Sequence, residues 1–164
     1  MFHTITMHSP VGVLRLIAGV RGLRGILWGA EDVARFASID EADLIEGRTA
    51  MLDQAVAQLE EYFAGTRREF DLPLDPLGTP FQQSAWMVLR SIPYGRTMSY
   101  GEQARRLGDP NKARAVGAAN GRNPLSIVVP CHRVIGSTGH LTGFGGGLEA
   151  KSWLLDHEHQ PRLI

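Results

Sequence analysis

Ser99-Tyr100-Gly101-Glu102-Gln103-Ala104-Arg105-Arg106-Leu107-Gly108-Asp109-Pro110-Asn111-Lys112-Ala113-Arg114-Ala115-Val116-Gly117-Ala118-Ala119-Asn120 decides how the second half of this chain folds. Ser99 with Glu102 has the form of a capping box, so a short helix opens there, and Gly108 closes it. After Asp109-Pro110-Asn111 a second helix is predicted from Lys112 to about Asn120. Two short helices joined by a Gly/Pro turn make a helix-turn-helix. The second helix is thin, because Ala113, Ala115, Gly117, Ala118 and Ala119 carry little side chain, and Lys112 and Arg114 occupy its first turn. A thin helix lets its backbone approach a partner, and amides at its start can meet phosphate. Tight packing against its own core is the alternative that small residues leave open.

Upstream, Thr79-Pro80 reads as a cap and first turn, and Phe81, Ala85, Trp86, Leu89 and Ile92 form one apolar stripe that ends at Pro93-Tyr94-Gly95. Pro73, Pro76 and Gly78 mark a linker. Before it, Phe2 to Met7, Val11 to Ile17 and Gly25 to Trp28 read as strands, the first two joined through Ser9-Pro10. A helix is predicted from about Ala50 to Phe63, with Leu52, Ala55, Val56, Leu59 and Phe63 on one face and Gly65 as its stop. The expectation is an α/β (α+β) chain: an N-terminal α/β domain over 1–75 and a mainly helical C-terminal domain over 79–164.

The chain has 164 residues, 43% hydrophobic and 21% charged, which is ordinary globular material. It holds no apolar run of about 18 residues and opens with no charged-then-apolar leader, so a cytoplasmic protein without a membrane anchor is expected. The formal net charge is zero, but residues 1–79 hold 7 Lys+Arg against 12 Asp+Glu, and residues 80–164 hold 10 against 5. Eight cations lie between Arg90 and Arg133, opposed by Glu102 and Asp109 alone. A basic half suggests that one part meets a polyanion, with an unevenly solvated surface as the plainer reading.

Cys131 is the only cysteine, set in Pro130-Cys131-His132-Arg133-Val134-Ile135 after the apolar run Ile127-Val128-Val129. With no second sulfur, neither an intramolecular disulfide nor a thiolate cluster can form. A lone cysteine is often just a small buried apolar residue, but an adjacent imidazole and cation suit nucleophilic work. Only the thiolate attacks, and a free thiol of pKa roughly 8.5 is mostly protonated at neutral pH, so a base is needed. Consecutive side chains face apart on helices and strands, which makes a direct Cys131–His132 contact awkward and a bridging water the natural relay. In the closing helix, Lys151, Leu154 and Glu158 fall on one face, so a buried Leu154 carries Glu158 inward.

These residues resemble the O6-alkylguanine-DNA alkyltransferases, also called methylated-DNA–protein-cysteine methyltransferases. The likeness runs from about Thr79 to Glu158 through Ser99-Tyr100-Gly101, Ala113 to Gly117, Gly121-Arg122-Asn123-Pro124, Ile127 to Ile135, Gly146-Gly147-Leu148, Lys151, Trp153-Leu154-Leu155 and Glu158. Residues 1–75 share only the order of strands and helix.

The resemblance implies a ribonuclease-H-like N-terminal domain and a winged-helix-like C-terminal domain. It implies that Cys131 accepts an alkyl group from O6 of guanine, and less readily from O4 of thymine, in duplex DNA. Each molecule would act once. It also implies a chain from Cys131 through water to His132 and Glu158, with Asn123 bracing the elements that flank the cysteine. Arg114 would fill the gap left by a flipped nucleotide, Tyr100 would crowd the phosphate, and Lys112 and Ser137 would join the DNA contacts. Val134, Phe144 and Gly145 would line the pocket. No cofactor, no metal and no partner besides alkylated double-stranded DNA are implied, and a monomer is expected, cytoplasmic and nucleoid-associated when bound.

Two departures stand out. Phe144-Gly145 occupies the place where some relatives have tyrosine followed by serine or alanine, so Phe144 offers no hydroxyl and Gly145 only a backbone amide. Some relatives hold zinc through N-terminal cysteines, and no cysteine precedes Cys131 here. Two other functions fit part of the pattern: a Cys-His hydrolase explains the dyad but not the basic helix-turn-helix, and a DNA-binding alkylation sensor explains the helices but not His132 and Glu158.

Overall fold

The fold comes from a computed structural model that describes residues 1–29, 31–136 and 144–159. It divides into two compact units, the first formed by Met1–Gly78 with Pro124–Val128, the second by Thr79–Asn123 with the chain from Val129 onward.

In the first unit, β1 (Phe2–Ser9), β2 (Gly12–Gly19) and β3 (Gly22–Trp28) form an antiparallel meander. After a short helix α1 (Val33–Ala37), β4 (Leu44–Glu46) pairs parallel to β1, giving the order β3-β2-β1-β4. Neither α1 nor β4 is evident in the sequence pattern. Both are brief, five and three residues, and hold too few apolar positions to show a period.

In β1 only Thr4 is buried, but every residue of β3 is buried, although β3 ends the sheet order. The reason is that two other segments cover its edge. Leu23 N–H donates to Pro73 O at 2.9 Å, Asp75 N–H to Leu23 O at 2.8 Å, and Ile26 N–H to Pro124 O at 2.8 Å. An unpaired edge would otherwise offer itself to other chains. Gly22 makes this approach feasible: a Cβ there would lie 2.4 Å from Pro73 O.

Ile17 and Leu27 pack with Val33, Ala37 and Ile39 in a core fringed by Phe2, Phe36 and Leu44. Helix α2 (Ala50–Phe63) is capped by Thr49, whose hydroxyl accepts from Leu52 N–H, and buries Leu52, Ala55, Val56, Leu59 and Tyr62. Burying one such Leu stabilises by about 1.5–3 kcal/mol.

The second unit is mainly helical. Helix α3 (Pro80–Arg90) starts with a reciprocal capping box between Thr79 and Gln82, and buries Ala85, Trp86 and Leu89. Ser99 caps α4 (Tyr100–Arg106) by accepting from Glu102 N–H. A single 3-10 turn, Pro110–Lys112, then leads into α5 (Ala113–Gly121), completing the helix-turn-helix.

The angle between these helices is set by a buried amide pair. Gln103 Nε2 donates to Asn120 Oδ1 (2.9 Å), and Asn120 Nδ2 returns a bond to Gln103 Oε1 (2.8 Å). Gln103 also donates to Ala85 O, and Trp86 Nε1 to Ala119 O, so α3, α4 and α5 are tied together. Two-residue strands β5 (Met98–Ser99) and β6 (Val134–Ile135) pair in parallel, and α6 (Leu148–His159) buries Ala150, Lys151, Leu154 and Glu158. Among the described residues no helix is long and apolar enough to cross a membrane.

Candidate active site

The segment entering Cys131 is neither strand nor helix. Ile127 has φ +75° and is buried, and Val128 N–H reaches back to Ser126 O at 2.9 Å. This two-residue bond around a positive φ is the rarer, strained hand of γ-turn, and for a β-branched residue it is an outlier. Pro130 follows with φ −82° and ψ 68°, and Cys131 N–H donates to Val129 O at 2.8 Å, an inverse γ-turn. Cys131, His132 and Arg133 then form one 3-10 turn, and Val134 N–H closes onto Cys131 O. The tight path is braced by Asn123, whose Nδ2 donates to Val129 O at 2.8 Å.

Cys131 forms no disulfide and is 9% exposed. His132 is fully buried and places Nε2 2.7 Å from Glu158 Oε2, reaching from the turn to the last part of α6. Glu158 is ionised. Burial by itself would raise its pKa, but the hydrogen bonds from His132 and Arg133, with the Arg133 charge, outweigh that and hold it far below the usual carboxylate range. An ionised carboxylate only accepts, so Nε2 must carry the proton. In neutral His132 the lone pair therefore sits on Nδ1, which is buried and meets no hydrogen-bond partner among the described residues. Burial holds the His132 pKa below 6.5, against the opposing pull of Glu158, so the imidazole is neutral at pH 7. A neutral imidazole with an unprotonated Nδ1 is a general base.

Two cations of this site point inward. Arg133 is 6% exposed and donates from Nε to Glu158 Oε1 (2.8 Å), from Nη2 to Glu158 Oε2 (3.0 Å) and from Nη1 to Ile92 O (2.7 Å). Lys151 is buried, with Nζ 2.7 Å from Val134 O. Burial pushes its ammonium below the ordinary range, and the charge of Cys131 opposes that shift. The sequence sets Arg133 both beside the thiol and within the basic stretch. It belongs to the interior, and the seven other cations from Arg90 to Arg122 are the exposed ones. The signal available in the sequence is the carboxylate itself: Glu158, carried inward by Leu154, needs more than an imidazole to satisfy two oxygens.

The remaining expected residues lie on other elements. Tyr100 begins α4, half-buried, and a Cβ on Gly117 of α5 would stand 3.8 Å from its ring. Arg114 is exposed in the first turn of α5, and Lys112 just before it lies with Nζ 5.5 Å from the Phe81 ring centre. Val134 is buried in β6, Phe144 is half-buried and Gly145 exposed. Ser137 lies outside the described residues.

Residues 80–160 match the family model described as 6-O-methylguanine DNA methyltransferase, DNA binding domain, and residues 2–76 match its ribonuclease-like domain. The methylated-DNA–protein-cysteine methyltransferase of Mycolicibacterium paratuberculosis is 47% identical over 161 residues, covering 97% of this chain and 94% of its own. The chain belongs to the methylated-DNA–protein-cysteine methyltransferase family.

Similarity within this methyltransferase family extends further: the Methanosarcina acetivorans protein of the same description is 43% identical over 158 residues, 96% of this chain and 98% of its own. Two solved structures resemble the fold throughout. The Mycobacterium tuberculosis O6-methylguanine methyltransferase aligns with a TM-score of 0.86 at 45% identity, over 97% of this chain and 93% of its own. The Mycobacterium tuberculosis OGT in complex with DNA aligns at 0.85 and 46% identity, over 96% and 92%. As a methyltransferase-family member, the chain is a mixed α/β protein with an N-terminal sheet domain of the ribonuclease-like kind and a C-terminal helical DNA-binding domain.

Proposed function

We propose that this chain repairs alkylated duplex DNA by taking the alkyl group from O6 of guanine, and less readily from O4 of thymine, onto Sγ of Cys131. The observation that carries the reading is the buried His132 Nε2–Glu158 Oε2 contact of 2.7 Å, which leaves Nδ1 of the residue next to the only cysteine as a base. A water bridging Sγ and Nδ1 relays the thiol proton to His132, and Glu158 stabilises the imidazolium that forms. The thiolate attacks the saturated carbon, the C–O6 bond breaks, and its electron pair passes to the guanine ring. The ring then takes up one proton, so transfer balances without oxidant, reductant or cofactor. The product thioether has no acyl carbon for water to attack, and each molecule is spent after one transfer.

The target atom lies inside a duplex, and rotating the nucleotide out costs roughly a few kcal/mol. Support for that role comes from α5, whose small residues permit close approach to the minor groove and whose Arg114 is exposed and able to enter the stack. Tyr100 at the start of α4 sits against α5 to crowd the phosphate, and Lys112 joins the backbone contacts, with Asn123 holding the cysteine segment. Phe144 and Gly145 border the pocket with Val134. The protein acts as a cytoplasmic monomer that associates with the nucleoid through its DNA contacts.

Stoichiometry tests this reading. A duplex carrying O6-methylguanine in tenfold excess should lose one methyl per protein molecule and then no more. Continued consumption, or steady turnover of a simple ester, would favour a hydrolase instead. DNA binding with no loss of methyl would favour a sensor.

A further inference from the structure

Arg133 takes no part in the relay from Cys131 to Glu158, yet it has the most elaborate bonding in the site. Its guanidinium holds both oxygens of Glu158 and is itself anchored to the main chain at Ile92 O, just past the end of α3. Glu158 Oε2 is shared between Arg133 Nη2 at 3.0 Å and His132 Nε2 at 2.7 Å. We propose that Arg133 is a positioning residue for alkyl transfer: its fork fixes the plane of the Glu158 carboxylate, so that Oε2 stays on His132 Nε2 and Nδ1 is kept as the base. The kinetic part of this proposal rests on the transfer reading above, and the part concerning the state of His132 does not.

The physical need is twofold. A carboxylate on two freely rotating bonds, bonded only to an imidazole, can turn and let the ring change tautomer. Two parallel N–H donors in a planar fork remove that freedom, and an ammonium cannot replace them. Charge supplies the second need. An isolated carboxylate beside a histidine favours the imidazolium, and a base that is already protonated cannot accept a proton from the thiol. Among the described residues, the charged groups acting on His132 are Glu158, Arg133 and Lys151. Burial disfavours the imidazolium most, Glu158 favours it, and the charges of Arg133 and Lys151 act with burial. Arg133 thereby lets Glu158 orient the imidazole without converting it to a stored acid.

The test separates fork from charge in the full chain. Nitrogen-15 NMR of His132 is followed against pH in the wild type, Arg133→Lys and Arg133→Gln, alongside single-turnover transfer from an O6-methylguanine duplex. The wild type should be neutral at pH 7 with its proton on Nε2. Arg133→Gln should move the His132 midpoint up by about one pH unit, and the acid limb of the transfer rate should move with it. Arg133→Lys keeps the charge, so its midpoint should stay near that of the wild type, while tautomers mix and transfer slows on the order of ten- to a hundred-fold. A role in folding alone would lower stability and leave both midpoint and tautomer in place. The proposal is overturned if the Gln variant folds with an unmoved midpoint, or if wild-type His132 carries its proton on Nδ1. Should the Gln variant not fold, an unchanged tautomer and rate in the Lys variant overturn it equally. A wild type that transfers nothing would sink the functional reading, and the NMR would still judge Arg133.

Discussion

In the first unit, buried polar side chains serve the main chain: Thr4 bonds Leu16 O, Arg24 bonds Asp75 O and Ala37 O, and Gln58 clasps both the N–H and the C=O of Asp71. In the second, buried polar side chains bond largely to one another, Gln103 to Asn120 around the helix-turn-helix and His132, Arg133 and Glu158 around the cysteine segment. The first arrangement stitches loops onto a sheet, with Arg24 also meeting the Asp75 carboxylate at 3.0 Å, a carboxylate that stays 22% exposed. The second places titratable groups in a low-dielectric interior, where an imperfectly matched partner is costly and pKa values move. Chemistry and stability are thus coupled in one unit and separate in the other.

The largest effect should come from breaking the coupled network. Glu158→Gln leaves Arg133 buried without its counter-charge, which should cost about 3–5 kcal/mol in urea unfolding of the second unit. The same change should slow transfer by on the order of a hundred-fold or more, since His132 loses the group that holds its tautomer. In the first unit, Leu27→Ala at a fully buried site should cost about 2–5 kcal/mol through the cavity it leaves, with the transfer rate of the folded protein unchanged. A slower folded variant would show that the two units share more than the comparison allows.

Acid should also separate them. His132 and Glu158 both bind protons less readily when folded than at their ordinary values of 6.5 and 4.5. The unfolded chain therefore takes up more protons, and the second unit loses stability as pH falls below 6.5 and again below 4.5. Glu31 in the first unit runs the other way, because burial raises its pKa and the folded state then binds the proton more readily. Hydrogen exchange at pH 7 and pH 5 should find the second unit loosening first, and earlier opening of β1 to β3 would contradict this. The smallest effects concern the surface: Lys112→Ala should reduce the log–log salt slope of DNA binding by about one, and Arg114→Ala should hurt duplex repair more than reaction with free base. Equal losses would count against its gap-filling role.

Much of the second unit is legible because its signals are local. Thr79, Ser99 and Gly108 mark helix ends, and Leu154 carries Glu158 inward at helical spacing. Ile127 shows where such reading stops. A β-branched residue at φ +75° is what intrinsic preference disfavours, and only the fold around it holds it there. Arg133 shows a second limit: an arginine in a basic stretch reads as surface, and its partner lies 25 residues further along the chain. In the first unit β4 and α1 escape notice because each owes its existence to neighbours, β4 to pairing with β1 and α1 to the core of Ile17 and Leu27.

The central claim is that Cys131 is a single-use alkyl acceptor driven by the His132–Glu158 pair. Mass spectrometry of the protein after incubation with an O6-methylguanine duplex tests it most directly. The account predicts one added methyl, confined to the peptide containing Cys131 and absent from Cys131→Ser. Methyl found on another residue, or transfer that persists in Cys131→Ser, would contradict it.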